Sequence, residues 1–232
     1  MILPFATIRA RAEARKGGAA ALAALLPAVP EAEVLRGKGD DRVLAEMTRC
    51  VFCAGFNWKV IAAKWAGFEA AFEGFDPAYL AFAPDEFWDR LTADARIVRN
   101  GAKIMSVRRN AAFVRDLGGA GRFLAEWPAG DQVGLLDLLA AKGDRLGAMT
   151  GQYFLRFVGR DGYVLSQDVI ACLRDAGVEI AANPTSKRDR AAIQAVFNGW
   201  AEETGLSRVH LSRICAMSIG ENRVAGEEVM DI

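Results

Sequence analysis

One carboxylate, Asp168, stands at the head of an apolar run in the stretch 146–170, LGAMTGQYFLRFVGRDGYVLSQDVI. A glycine-bearing turn leads into an aromatic helix, a second turn follows, and Asp168 comes 18 residues after Thr150. A turn of that kind can hold a phosphate through main-chain N–H groups, including those of Thr150 and Gly151. A carboxylate placed next to a sugar C1′ can stabilise an oxocarbenium-like charge or orient attacking water. The same aspartate also suits a plain helix N terminus, where its charge meets the positive end of the dipole and Ser166 serves as cap. Residue type alone leaves both meanings open.

Other side chains could serve the same chemistry. Trp58, in AGFNW, offers a π-face on which a nucleobase can stack, worth about 1–3 kcal/mol per base; Phe52 and Tyr153 are weaker candidates for the same role. A core tryptophan on an apolar stripe is the rival reading of Trp58. Arg96, Arg99, Lys103, Arg108 and Arg109 fall within fourteen positions, with Lys187, Arg188 and Arg190 later. Such a run is commonly a solvated helix face. Here it surrounds Gly101 in a chain of zero formal charge, so any contact with phosphate has to be local, and Arg99 and Lys103 are its candidates. Cys50 and Cys53 have CxxC spacing, but they sit in a helical pattern with no second CxxC and a single histidine, His210. They read as buried thiols of a reducing compartment, and neither a metal nor a cofactor is expected.

These groups must be positioned by helices. A chain of 232 residues with 52% hydrophobic content and mean hydropathy +0.11 can bury a sizeable core. No apolar run approaches a membrane span, and the opening MILPFATIRARAEARKGG has no apolar h-region, so a cytoplasmic protein without membrane contact is expected. Leu44, Met47, Val51, Ala54 and Trp58 recur at three and four residues and predict one long apolar face. Further helices are predicted over 60–72, from Asp76-Pro77 to Phe82, from Pro84 to Leu91, over 104–114, after Asp131, and after Gly147, Ser166, Ser186 and Ser207. No alternating strand appears, so the fold class is all-α. The organisation read from this pattern is one unit over 1–232. It comprises a helical extension over 1–39, a helical lobe over 40–142, a second lobe over 143–219 and a loosely held tail over 220–232.

Residues 43–117 resemble the DNA-3-methyladenine glycosylase I family. The resemblance is carried by AGFNW (54–58), FEAAFEGFDP (68–77) and LTADARIVRNGAKIMSVRRNAAFV (91–114), with matching spacing between the pieces. Residues 146–175 resemble the hairpin region of the wider helix-hairpin-helix glycosylases, with LGAMT in place of Leu-Pro-Gly-Ile/Val-Gly. The resemblance implies a helix-hairpin-helix glycosylase-like fold with two helical lobes around a cleft. It implies a monomer that acts on double-stranded DNA with alkylated bases, flipping the base out and hydrolysing its N-glycosidic bond. Asp168 becomes the catalytic carboxylate; Trp58, Phe52, Tyr153 and Cys50 become the base-binding wall; Arg99, Lys103, Thr150 and Gly151 become the DNA contacts. Gln152 falls where bifunctional relatives carry a nucleophilic lysine, and an amide forms no Schiff base.

The departures matter equally. The family's N-terminal block is missing, and its zinc ligands have no counterpart beyond His210 and Cys215 at a different spacing, so no zinc is carried over. Cys50 occupies the position of the family's base-reading glutamate. A catalytically inactive helix-hairpin-helix DNA-binding protein is therefore the alternative, with a helical protein of no nucleic-acid role behind it.

Overall fold

The computed structural model describes residues 2–221, and no strand occurs among them. The helices, in chain order, are α1 (Phe5–Lys16), α2 (Ala19–Ala24), α3 (Ala32–Arg36), α4 (Asp40–Cys53), α5 (Trp58–Ala71), α6 (Pro77–Phe82) and α7 (Asp85–Ala93). They continue as α8 (Gly101–Leu117), α9 (Ala120–Glu126), α10 (Gln132–Lys142), α11 (Ala148–Val158), α12 (Gln167–Asp175), α13 (Lys187–Thr204) and α14 (Arg208–Ser218). The expected all-α class holds.

Capping chemistry fixes many of the starts. Asp76 accepts from the N–H groups of Ala78 and Tyr79 at 2.8 and 3.4 Å, with Pro77 opening α6. Ser166, Ser186 and Ser207 each accept from the N–H three residues on, at 3.3, 3.0 and 3.1 Å. The long face drawn through Trp58 is interrupted, however. Helix α4 ends at Cys53, and Asn57 starts a new helix by accepting from the Lys59 N–H at 2.9 Å. Trp58 is thus the first residue of α5, not the last of α4.

The described chain forms two compact units, and both are discontinuous in sequence. One takes Pro30–Trp127 and Gly134–Arg160; the other takes 2–29, Pro128–Val133 and 161–221. Residues 2–29 thus group with the C-terminal helices, and 134–160 with the central ones. The tail read over 220–232 lies outside the described residues from 222 onward.

In the central unit α4 packs on α5, α8, α9 and α11. Its apolar side meets a run of rings: Phe52 lies edge-on to Phe68 at 4.8 Å, and Trp65 stacks on Phe68 and Phe75 at 5.6 and 5.5 Å. Aromatic burial of this kind dominates small cores. In the other unit α1 packs on α14 and α13, and α12 packs on α14. Tyr163 stacks on Phe197 at 4.4 Å, and Phe5 meets Trp200 at 5.3 Å.

Candidate active site

The hairpin is the turn between α10 and α11. Asn110, on α8 and 1% exposed, holds it at both main-chain groups of Asp144: Nδ2 donates to the carbonyl at 3.1 Å, and Oδ1 accepts the N–H at 2.7 Å. Arg109 adds a 2.6 Å bond from Nε to the Asp144 carboxylate. Both residues lie in the stretch 91–114, so the motif that looked like a surface run is partly the anchor of the turn. The turn contains two left-handed non-glycine residues, Arg145 at φ 60° and Ala148 at φ 47°. Ala148 stands where the LGAMT comparison places glycine, which explains that preference: a Cβ is unwelcome at this φ.

Gly151 is the second constrained position. A Cβ on it would come within 2.4 Å of the Leu146 carbonyl oxygen, so only glycine lets α11 pack this closely on its own entry turn. Gly147 caps α11 without any side-chain hydrogen bond. The first N–H groups of α11, through Thr150, are donors that the helix itself leaves unused. Arg99 and Arg145 are both exposed, and no ion-pair partner for either occurs among the described residues.

Lys103 behaves differently from Arg99. It is 7% exposed, and its Nζ donates to the carbonyl of Phe52 at 3.2 Å and to that of Ala54. Those carbonyls close the C terminus of α4, where a cation is favoured. Burial, and then the nearby charge of Arg145, hold its pKa below the usual lysine value. Lys103 is therefore committed within the protein, in contrast to the phosphate contact expected of it. The ammonium also sits 4.8 Å from the ring of Phe56, a residue that the sequence reading passed over. Phe56 is 44% exposed and Trp58 38%, so the AGFNW loop presents two aromatic faces.

The rest of the expected base-binding wall separates into core and surface. Phe52 is fully buried in the aromatic run and is a packing residue here. Cys50 is 1% exposed, and burial, reinforced by the Glu46 charge, raises its thiol pKa well above the ordinary value. It donates to Glu46 Oε1 at 3.6 Å. Glu46 is the acid that the sequence reading missed. It lies one turn before Cys50 and holds Arg49 by two short bonds from Nη2, at 2.7 and 2.9 Å. Arg49 lies 5.3 Å over Phe157, which stacks on Tyr153 at 5.9 Å. A carboxylate, a guanidinium and two rings thus meet at α4 and α11. The i, i+4 spacing from Glu46 to Cys50 and the i, i+3 spacing to Arg49 were the signals available.

Asp168 lies in the other unit, in the first turn of α12, half-buried. Ser166 caps the helix, and no side chain among the described residues bonds the Asp168 carboxylate. The segment leading to it is fixed by Gln132, 4% exposed, whose Nε2 donates to the Tyr163 carbonyl at 2.7 Å while Oε1 accepts the Tyr163 N–H at 2.9 Å. Asp161 accepts from the N–H groups of Arg208 and Val209 at 3.1 and 3.0 Å and ties the same segment to α14.

Among the described residues no group of three His, Cys, Asp or Glu side chains gathers to hold a metal ion. None of the described helices is long and apolar enough to cross a membrane.

Residues 36–129 match the family model of methyladenine glycosylase. The match spans less than half of the chain, and over that segment the sequence is similar to the methyladenine glycosylase family. Among solved structures, a 3-methyladenine DNA glycosylase I aligns with 20% identity and TM-score 0.46 over 56% of this chain and 81% of its own. A Methanocaldococcus jannaschii 8-oxoguanine glycosylase/lyase, solved with a 15mer DNA containing 8-oxoguanine, aligns with 15% identity and TM-score 0.47. That alignment covers 78% of this chain and 83% of the other. No curated protein matches the sequence significantly.

Proposed function

We propose that the protein is a monofunctional DNA glycosylase that excises alkylated purines of the 3-methyladenine type from double-stranded DNA. The family match over 36–129 carries this reading. The hairpin supports it: the uncapped N terminus of α11, with Arg145 in the turn just before it, offers N–H donors and a cation to a phosphate, and Arg99 is a second exposed cation of the same unit. Trp58 and Phe56 offer faces to bases, while Tyr153, with Phe157, forms a stacked pair beside the Glu46–Arg49 ion pair. Thr150 contributes through its main-chain N–H, whereas the N–H of Gly151, also expected to do so, is given to the Gly147 carbonyl at 3.5 Å, leaving Gly151 the role of close packing.

In the proposed reaction the C1′–N bond breaks, and its electron pair leaves with the base. Alkylation at N3 makes the bound purine cationic, so it departs neutral without needing a proton. Asp168 stabilises the sugar cation and orients the water that adds to C1′, whose proton passes to the carboxylate or solvent. Gln152 has no amine to form an imine with the opened sugar, so the proposal includes no lyase step. The protein would act as a cytoplasmic monomer without a cofactor.

A base-release assay on methylated duplex DNA tests this directly. Asp168→Asn is expected to slow single-turnover release by about two to four orders of magnitude with duplex affinity unchanged or higher. Borohydride should trap no adduct. Release unchanged in the variant, or a trapped wild-type adduct, would overturn the scheme. A binding-only scaffold is the second reading, favoured by the neutral Cys50 thiol and by the pairing of Glu46 with Arg49. Duplex binding without release of any methylated purine would establish it.

A further inference from the structure

We infer that Arg15, in α1, is a positioning residue for Asp168, acting through the main chain at Gly220. This rests on the reading of Asp168 as the carboxylate that faces the sugar. Helix α1 precedes the family-matched segment, and one of its side chains reaches the last residues described. Arg15 Nε donates to the Met217 carbonyl at 3.1 Å, and Nη2 donates to those of Ile219 and Gly220 at 3.4 and 2.6 Å. Carbonyls at a helix C terminus have no partner within the helix, and a guanidinium fork suits several of them at once. The end of α14 and the two residues after it are thereby tied to α1.

Gly220 takes a left-handed φ of 71°, and its Cα faces Asp168. A Cβ there would lie 2.4 Å from Asp168 Oδ1, 2.9 Å from Cγ and 3.3 Å from Oδ2. The main chain at 220 therefore forms a wall against the carboxylate. No described side chain bonds Asp168, so among the described residues this wall and the α12 backbone define where its oxygens stand. Arg15 holds the wall in place. Removing its guanidinium frees the 217–220 carbonyls and lets the carboxylate rotate away from the position in which it serves C1′. Placement errors of about 1 Å are enough to cost about a hundredfold in rate.

The test uses the full chain and four variants: Arg15→Ala, Arg15→Lys, Gly220→Ala and Asp168→Asn. Arg15→Ala is expected to lower single-turnover base release about ten- to hundredfold with duplex affinity unchanged. Arg15→Lys should restore part of the rate, because an ammonium can still bond one or two of the carbonyls. Gly220→Ala should be at least as slow as Arg15→Ala. A readout independent of turnover is the 13C resonance of the Asp168 carboxyl, assigned by its loss in Asp168→Asn. It should move in Arg15→Ala and Gly220→Ala and return toward its wild-type position in Arg15→Lys. A slow Asp168→Asn beside full rate and an unmoved resonance in Arg15→Ala would overturn the inference. So would a lowered melting temperature without a rate loss, which marks a structural role alone. If wild type releases no base, the catalytic reading of Asp168 falls and the positioning of a catalytic group falls with it. The resonance then decides only whether Arg15 fixes the carboxylate.

Discussion

Two buried amides do the same job in different units. Asn110 grips both main-chain groups of Asp144 in the central unit, and Gln132 grips both of Tyr163 in the other. Each makes a side chain act like one rung of a β-ladder, satisfying a donor and an acceptor that a helical fold would otherwise leave unpaired. What they hold differs. Asn110 fixes a turn bearing an exposed arginine and the uncapped start of α11, groups suited to an anion. Gln132 fixes the approach to α12 and the carboxylate of its first turn, Asp168. Under the proposed function the groups they hold have different tasks: those held by Asn110 meet a phosphate backbone, and the carboxylate beyond Gln132 serves the reacting sugar. Of these residues only Asn110 falls inside the family-matched segment 36–129, while Gln132 and Asp168 fall beyond it.

The strongest way to break this division is to cut each clamp. Asn110→Ala and Gln132→Ala each strand a buried main-chain N–H and carbonyl, at a cost of about 2–4 kcal/mol in stability, measurable by urea unfolding. Below the unfolding transition, Asn110→Ala should weaken duplex binding and leave the rate from bound complex unchanged. Gln132→Ala should show the reverse pattern. Identical profiles in the two variants would dissolve the distinction. A smaller effect is expected at the aromatic loop. Trp58→Ala should weaken binding of methylated duplex by about 1–3 kcal/mol through lost stacking, with little loss of stability because the ring is 38% exposed. A large stability loss with unchanged affinity would return Trp58 to the core.

Sharper still is Ala148→Gly, which removes a Cβ from a left-handed residue of the hairpin. A stabilisation of about 1 kcal/mol is expected, offset in part by the greater freedom of glycine when unfolded. An unchanged or lowered unfolding midpoint would mean that the turn bears no strain at this residue. The smallest effect concerns the thiols. Burial keeps Cys50 and Cys53 protonated in the folded chain above the ordinary thiol value of 9.0. Unfolding releases those protons, so stability falls as pH rises past about 9. Lys103 opposes this at higher pH, because its depressed pKa means that the folded chain sheds that proton first and its burial cost is relieved. Cys50→Ala should therefore flatten the decline in melting temperature between about pH 8 and 9.5; an unaltered decline would remove the buried thiol as its cause.

Residue pattern alone determined the helical class, the caps at Asp76, Ser166, Ser186 and Ser207, and the turns that frame the hairpin. These are local properties, set by hydrogen bonds within a few residues and by the 3.6-residue period. Pattern also singled out Asp168, Trp58 and Arg99, because charge and π-face belong to the side chain wherever it lies. It could not tell Arg99 from Lys103, four residues apart with the same charge. One is exposed, while the other turns inward to close α4, because those carbonyls are 49 and 51 residues away in sequence. Periodicity likewise placed Trp58 at the end of one apolar face, whereas Asn57 starts a new helix and exposes the ring. The amide clamps, the meeting of Glu46 with the rings of α11, and the reach of Arg15 to Gly220 were decided by tertiary structure alone. Each joins groups whose separation along the chain carries no period, and only packing of the helices brings them within hydrogen-bonding or stacking distance.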